Sequence, residues 1–127
     1  MALAMATAGT AAASTTAHNG RAAATSNFTP QQVARKLLPS FGWSKKRQFK
    51  YLNWLWEKES SWNVSAQNPS SGAYGIPQAV PGSKMGTAGP AWQTSARTQI
   101  LWGLTYIRGV YGSPRHAWQH WVSYGWY

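Results

Sequence analysis

The apolar residues of this chain recur at the spacing of amphipathic helices. At about 100° of rotation per residue, they gather on one face of three separate segments. These faces are formed by Phe49, Leu52, Leu55 and Trp56, by Ile100, Leu104, Ile107 and Tyr111, and by Trp118, Trp121 and Val122. The periodicity predicts a small domain that is mainly α-helical.

Residues that cap or break helices indicate where each helix begins and ends. Thr29 and Gln32 have the spacing of a capping box, with Pro30 in the first turn. Four helices are predicted. The first runs from after Thr29 to Pro39, and the second from after Ser44 to about Ser60. The third runs from about Ala96 until Gly109 and Gly112 close it, and the fourth from after Ser113 to about Gly125. Glycine and proline punctuate residues 69–90, so we expect a structured loop or a short irregular sheet there.

Residues 1–27 differ in composition from the rest of the chain. They are dominated by Ala and Thr and contain no aromatic residue, whereas every Trp lies from Trp43 onward. The segment has the character of a secretory-signal remnant or of a disordered linker, and both interpretations stay open. The predicted boundary near Phe28 leaves one domain at 28–127.

The charge balance narrows the possible partners. Twelve Lys and Arg face two acidic residues, which gives a formal charge of +10, and the chain has no Asp and no Cys. A basic cluster on the second helix consists of Lys45, Lys46, Arg47, Lys50 and Lys58. Such a protein is attracted to polyanions. Because no nucleic-acid motif accompanies the cluster, we expect anionic wall polymers rather than nucleic acid as partners. No run of about 18 apolar residues predicts a membrane span.

The two acidic residues, Glu57 and Glu59, are predicted to have opposite environments. Glu59 falls on the apolar face of the second helix, whereas Glu57 lies on the polar face with Lys46 and Lys50. A carboxyl group placed against Trp and Leu loses solvation, which raises its pKa and suits it to act as a general acid. Alternatively, Glu59 accepts hydrogen bonds from the following loop at the helix end.

Two motifs carry a resemblance to a known family. The segment WLWEKESSWN at 54–63 and the segment SSGAYGIPQ at 70–78 resemble the lytic transglycosylase domain of the lysozyme superfamily, above all small secreted actinobacterial members. In that family a Glu-Ser pair ends a helix and a Gly-Ala-x-Gly-x-x-Gln loop follows. The resemblance spans about 28–127 and implies a lysozyme-like α+β fold and a secreted or cell-wall location.

The resemblance also implies roles for individual residues. Glu59 is the expected catalytic acid, and Ser60 is expected to help shape its site. The loop residues Gly72, Ala73, Tyr74 and Gln78 are expected to line a saccharide groove, and Gln78 can offer a donor and an acceptor to an acetamido group. Relatives often carry Cys at the positions aligned with Tyr51 and Arg115, so this chain lacks a probable disulfide.

The scarcity of carboxylates favours one mechanism. Ordinary glycosidases use two carboxylates that flank the bond, and Glu57 points away from Glu59. The resemblance implies cleavage of the MurNAc-β-1,4-GlcNAc bond of peptidoglycan with closure of a 1,6-anhydro ring, in which Glu59 acts first as acid and then as base. A muramidase-type hydrolase, an antibacterial cationic wall-binding protein without catalysis, and a nucleic-acid binder are the alternatives.

Aromatic and histidine side chains complete the candidate site. Each of the nine Trp and six Tyr suits a core as well as a sugar face. Besides Tyr74, we expect Tyr106, Trp118 and His120 to face the groove. His116 and His120 have an i, i+4 spacing that can chelate a metal, but a third ligand is missing, so we expect no metal. We also expect no cofactor, and we expect the protein to be a monomer.

Overall fold

The computed structural model describes residues 28–127, and these residues form a mainly helical domain. The signal remnant or linker predicted at 1–27 lies outside the described residues. The four α-helices are α1 (Pro30–Leu37), α2 (Lys45–Ser60), α3 (Ala96–Val110) and α4 (Pro114–Tyr124). Two 3-10 helices span Leu38–Phe41 and Gly82–Ala88.

The helices begin where the sequence predicts them, because side chains satisfy their free N–H groups. The Thr29 hydroxyl accepts a hydrogen bond from the Gln32 N–H at 3.1 Å, and the Gln32 side chain accepts one from the Thr29 N–H at 2.9 Å. This confirms the capping box. Ser44, Ser95 and Ser113 each accept a hydrogen bond from the third residue of their helices. The second helix, predicted at 45–60, has those bounds.

The first helix ends as predicted, because α1 stops at Leu37 and Leu38 caps it just before Pro39. The chain continues as the 3-10 helix Leu38–Phe41, which tolerates proline near its start, and turns away at Gly42, with φ +84°. The helix α3 runs to Val110, so Gly109 lies inside its last turn rather than closing it, and Gly112, with a φ of +87°, follows its end.

The core lies between the apolar faces of the helices. The helix α4 packs along α2, α3 packs against α1, and the 3-10 helix Gly82–Ala88 covers part of α3. The fully buried side chains include Leu52, Leu55, Trp56, Ile100, Leu104 and Ile107. Val122, which the periodicity groups with Trp118 and Trp121, is 61% exposed. The buried residues of α4 are Pro114 and Ala117.

The segment between α2 and α3 is held by turns and bridges rather than by regular strands. Tyr74 forms isolated antiparallel bridges to Gln67 and to Ala79, so of the two predicted forms the segment is closer to the structured loop than to the short irregular sheet. Within residues 28–127 no helix combines the length and the apolar character needed to cross a bilayer.

Candidate active site

Glu59 lies in the last turn of α2 and is fully buried. The chain leaves this helix abruptly, since Ser61 and Trp62 adopt positive φ angles of 54° and 61°. The reversal brings the Trp62 ring back against Trp56, at 5.2 Å between ring centroids. Two consecutive non-glycine residues in this region are uncommon and costly. They pack Trp62 against the last turns of α2, the helix that carries Glu59.

One hydrogen bond holds the Glu59 carboxyl group. The indole Nε1 of Trp121, on α4, donates to Oε2 at 2.9 Å. The other oxygen, Oε1, is buried and has no hydrogen-bond partner among residues 28–127. Burial raises the pKa of Glu59 to about 8, and the hydrogen bond from Trp121 opposes this rise. The predicted burial and raised pKa of this carboxyl group are confirmed, so it is mainly protonated at neutral pH.

Glu57 has the opposite environment, as predicted. Its side chain is exposed and borders a shallow depression with Trp54, Lys58 and Trp118. The two carboxyl groups of the chain therefore lie on different faces of α2. Glu57 is in no position to act with Glu59 across one bond.

Ser60 joins the end of α2 to the glycine-containing loop. Its hydroxyl donates to the Ile76 carbonyl at 2.8 Å and accepts from the Trp62 N–H at 3.1 Å. The residue is buried. Ser60 thus holds the chain reversal after Glu59 and fixes the position of the loop at Ile76 relative to the end of α2. In this way it shapes the site through backbone contacts.

The loop from Gly72 to Gln78 has a tightly specified backbone. Gly72 and Gly75 have φ angles of +79° and +78°. A Cβ at Gly75 would lie 2.6 Å from Gln99 Oε1, whereas one at Gly72 would meet nothing within 4 Å. Ala73 is buried and Gly72 is half-buried. The backbone at Gly75 therefore requires glycine for both conformation and space.

Gln78 is buried and turned inward. Its side-chain Nε2 donates to the carbonyls of Ala66, at 3.1 Å, and Gly75, at 3.0 Å, while its Oε1 has no partner within 28–127. The amide donors that were expected for a sugar acetamido group are thus occupied by the loop itself. Of the two amide functions, the acceptor is the one left for a ligand.

Sequence reasoning missed Gln99. This fully buried side chain on α3 accepts from the Ile76 N–H at 2.9 Å and donates to the Val64 and Trp92 carbonyls at 3.1 and 2.8 Å. It joins three stretches of irregular chain to one helix. The available signal was an amide one turn before Gly103, on the buried side of a helix.

Tyr127 was also missed. Its buried hydroxyl donates to the Pro77 carbonyl at 2.8 Å and accepts from Trp56 Nε1 at 2.9 Å. Burial, and after it the nearby Glu59 charge, hold the pKa of Tyr127 well above its ordinary value. Tyr127 therefore belongs to the surroundings of the acid.

The other expected groove residues are Trp118, Tyr106 and His120, and they have different neighbours. Trp118 stacks on Trp121, with centroids 5.5 Å apart and planes at 2°. Tyr106 contacts the Tyr127 ring at 5.7 Å. His120 packs on Trp126 at 4.5 Å, and its Nδ1 lies 2.9 Å from the Trp126 carbonyl oxygen.

Tyr74 stands apart from this cluster of rings. Its hydroxyl donates to the Gln93 carbonyl at 2.8 Å, and its ring packs edge-on against Trp92. It holds the loop to the segment before α3.

The expected absence of a metal site concerns His116 and His120. His116 Nδ1 lies 3.2 Å from the Ser113 hydroxyl. In the described range 28–127, no three His, Asp or Glu side chains group as metal ligands.

Comparison with known proteins gives no match to this chain among family models, curated proteins or solved structures.

Proposed function

We propose that this protein is a peptidoglycan lytic transglycosylase with a lysozyme-like fold, secreted or held at the cell wall. The observation that carries the proposal is Glu59, a fully buried carboxyl group whose pKa is about 8. Such a group holds a proton at neutral pH and can donate it to a leaving oxygen. The Glu-Ser and Gly-Ala-Tyr-Gly motifs add the likeness on which the substrate assignment rests.

The proposed reaction uses this carboxyl group twice. Glu59 gives its proton to the glycosidic oxygen, the bond from that oxygen to C1 of N-acetylmuramic acid breaks, and N-acetylglucosamine leaves with a free hydroxyl. The muramoyl 6-oxygen then bonds to C1, and its proton passes to the Glu59 carboxylate. The raised pKa makes that carboxylate an effective base, while the Trp121 N–H stabilises its charge. Water is not consumed.

The position of Glu57 supports a mechanism with one carboxylate. Glu57 is exposed beside Trp54 and Lys58, on another face of α2. A site with two flanking carboxylates would need a second acid opposite Glu59, and the chain has only these two. The substrate's own 6-hydroxyl and acetamido groups fill that role in the proposal.

Access to the acid requires movement, because Glu59 is sealed from solvent. Trp121 is half-buried and touches the carboxyl group directly, and Trp118 stacks on its outer side. A saccharide that displaces part of this cover would also exclude water from the carboxyl group. Flat indole rings at such a position suit the apolar faces of sugars.

Purified peptidoglycan, digested and analysed by mass spectrometry, tests the proposal. We expect anhydromuramoyl ends, lighter by one water than reducing ends. Glu59→Gln should abolish their formation while preserving the circular dichroism spectrum, and the matched variant Glu57→Gln should retain it. Equal loss in both variants would contradict the assignment of Glu59.

The same experiment separates the alternatives. Products with reducing muramic ends identify a muramidase-type hydrolase. If Glu59→Gln acts on walls as the parent does, the protein is a cationic wall-binding protein without catalysis. The exposed basic cluster of α2 and the formal charge of +10 support attraction to anionic wall polymers in either case.

A further inference from the structure

The hydrogen bond from Trp121 to Glu59 distinguishes the two carboxyl oxygens. An indole N–H can only donate, and it lies 2.9 Å from Oε2. In a neutral carboxylic acid the carbonyl oxygen is the better acceptor, and the other oxygen carries the proton. We infer that Trp121 confines the proton of Glu59 to Oε1 and is a positioning residue for its transfer.

The indole ring is itself held in place. It stacks on Trp118 with the two planes 2° apart, and the Lys58 ammonium lies 5.9 Å from its centroid on the α2 side. Trp121 lies in the middle of α4, which packs along α2. The direction of the N–H is therefore set by two helices and a neighbouring ring, which restricts the exchange of roles between Oε1 and Oε2.

The assignment gives Oε1 a distinct chemistry. With the proton on Oε1, the buried hydroxyl has no acceptor among residues 28–127. An unmet buried donor is unfavourable. A glycosidic oxygen brought to Oε1 would relieve this cost during proton transfer, so the interaction strengthens as the reaction proceeds.

The other groups facing the carboxyl group are consistent with this assignment. Burial is the main reason why the pKa values of Tyr111 and Tyr127 are raised, so both phenols are neutral at neutral pH. The Glu59 charge adds to this rise for both, and Tyr106 adds to it more strongly than Glu59 for Tyr111. The Tyr127 hydroxyl is already committed to the Pro77 carbonyl and the Trp56 indole. The Lys58 ammonium is 5.9 Å from the centroid of the Trp121 ring. Trp121 is thus the group that distinguishes the two oxygens.

Infrared spectroscopy tests the inference without any assay of activity. The chain has two acidic side chains, so in a Glu57→Gln background the carbonyl stretch of a protonated side-chain carboxyl comes from Glu59 alone. Replacing Trp121 by Phe should move this band to higher wavenumber and its pH midpoint upward. Trp43→Phe, a matched change that removes an indole N–H bonded to the Gly112 carbonyl instead, should leave both in place.

A second replacement guards against a packing defect. β-(3-Benzothienyl)alanine at position 121 has the shape of indole but carries sulfur in place of N–H, so it should reproduce the shift caused by Phe. An unchanged band and midpoint in both replacements would overturn the inference.

The catalytic consequence rests on the proposed function and is measured separately. In an active parent, loss of the N–H should lower kcat about 10- to 100-fold with little change in KM and should move the basic limb of the pH profile upward. A shifted band with unchanged kcat and pH profile would refute the positioning role. A parent without lytic activity refutes the proposed function, while the infrared result still decides the proton's place.

Discussion

The buried carboxyl group of Glu59 predicts an unusual dependence of stability on pH. Its pKa is about 8 in the folded protein, against an ordinary value of 4.5. Below both values the group is protonated in the folded and unfolded states and contributes no difference. Between them the unfolded chain releases the proton and the folded chain keeps it. The free energy of unfolding therefore falls as the pH rises through this window and levels off above it.

The magnitude follows from the same two pKa values. Each unit of difference corresponds to about 1.4 kcal/mol, so the full change is on the order of 5 kcal/mol. This is a large part of the 5–15 kcal/mol that is typical of a small domain. Glu59→Gln removes the titration but places an amide where Oε1 lacks a partner, which adds a cost of about 1–3 kcal/mol that does not vary with pH.

Urea unfolding followed by tryptophan fluorescence, at pH values from 4 to 9, measures the effect. We expect the parent to lose stability across this range, the Glu59→Gln variant to stay nearly level, and the two curves to converge or cross as the pH rises. Glu57→Gln changes an exposed carboxylate and should follow the parent. Parallel curves for the parent and the Glu59→Gln variant would show that the carboxyl group is not desolvated and would refute the reasoning.

Other predictions concern the framework of the site and its surface charge. Gly75→Ala should destabilise the fold well beyond the ~1 kcal/mol expected for its control Gly72→Ala, because the two share a positive φ but only Gly75 faces Gln99; equal losses in urea unfolding would contradict this. Gln99→Leu removes the partner of one buried and two partly buried backbone groups and should cost about 2–4 kcal/mol, and a loss below 1 kcal/mol would count against its role. Tyr127→Phe should cost about 1–3 kcal/mol by the same measurement, because the Trp56 indole and the Pro77 carbonyl lose their partner, and unchanged stability would contradict this. Binding to purified walls should weaken steeply as the salt concentration rises and when residues of the basic cluster are replaced by Gln. Binding that does not change with the salt concentration would exclude electrostatic attraction.

The helices and the environment of Glu59 could be predicted because both depend on local periodicity. The helix α2 has its predicted bounds, and its helical wheel separates Glu59 from Glu57 without knowledge of any partner. The hydrogen-bond partner of Glu59 could not be predicted in this way. Trp121 lies 62 residues from Glu59 along the chain, and its position on the apolar face of α4 is equally compatible with a place in the core.

The features that escaped sequence reasoning all depend on distant contacts. Gln99 accepts a hydrogen bond from the Ile76 N–H, which is 23 residues away in the sequence. Tyr127 donates one to the Pro77 carbonyl, which is 50 residues away. The helical position of Gln99 can indicate that its amide is buried, but no local pattern gives the distant partners of such an amide or phenol. The exposure of Val122 has a similar cause, because the direction from which α2 approaches α4 decides which of several apolar residues on α4 is covered.

The contacts of Gln99 have a consequence for protein engineering. The loop that bears the Gly72 and Gly75 turns is held from outside its own sequence by the Gln99 amide on α3, the Ser60 hydroxyl at the end of α2 and the Tyr127 hydroxyl. Residues 70–78 transplanted alone onto another scaffold would keep the motif's sequence but lose these contacts. A transferable version of this loop would have to include all three side chains, so it would consist of several segments that are distant in the sequence.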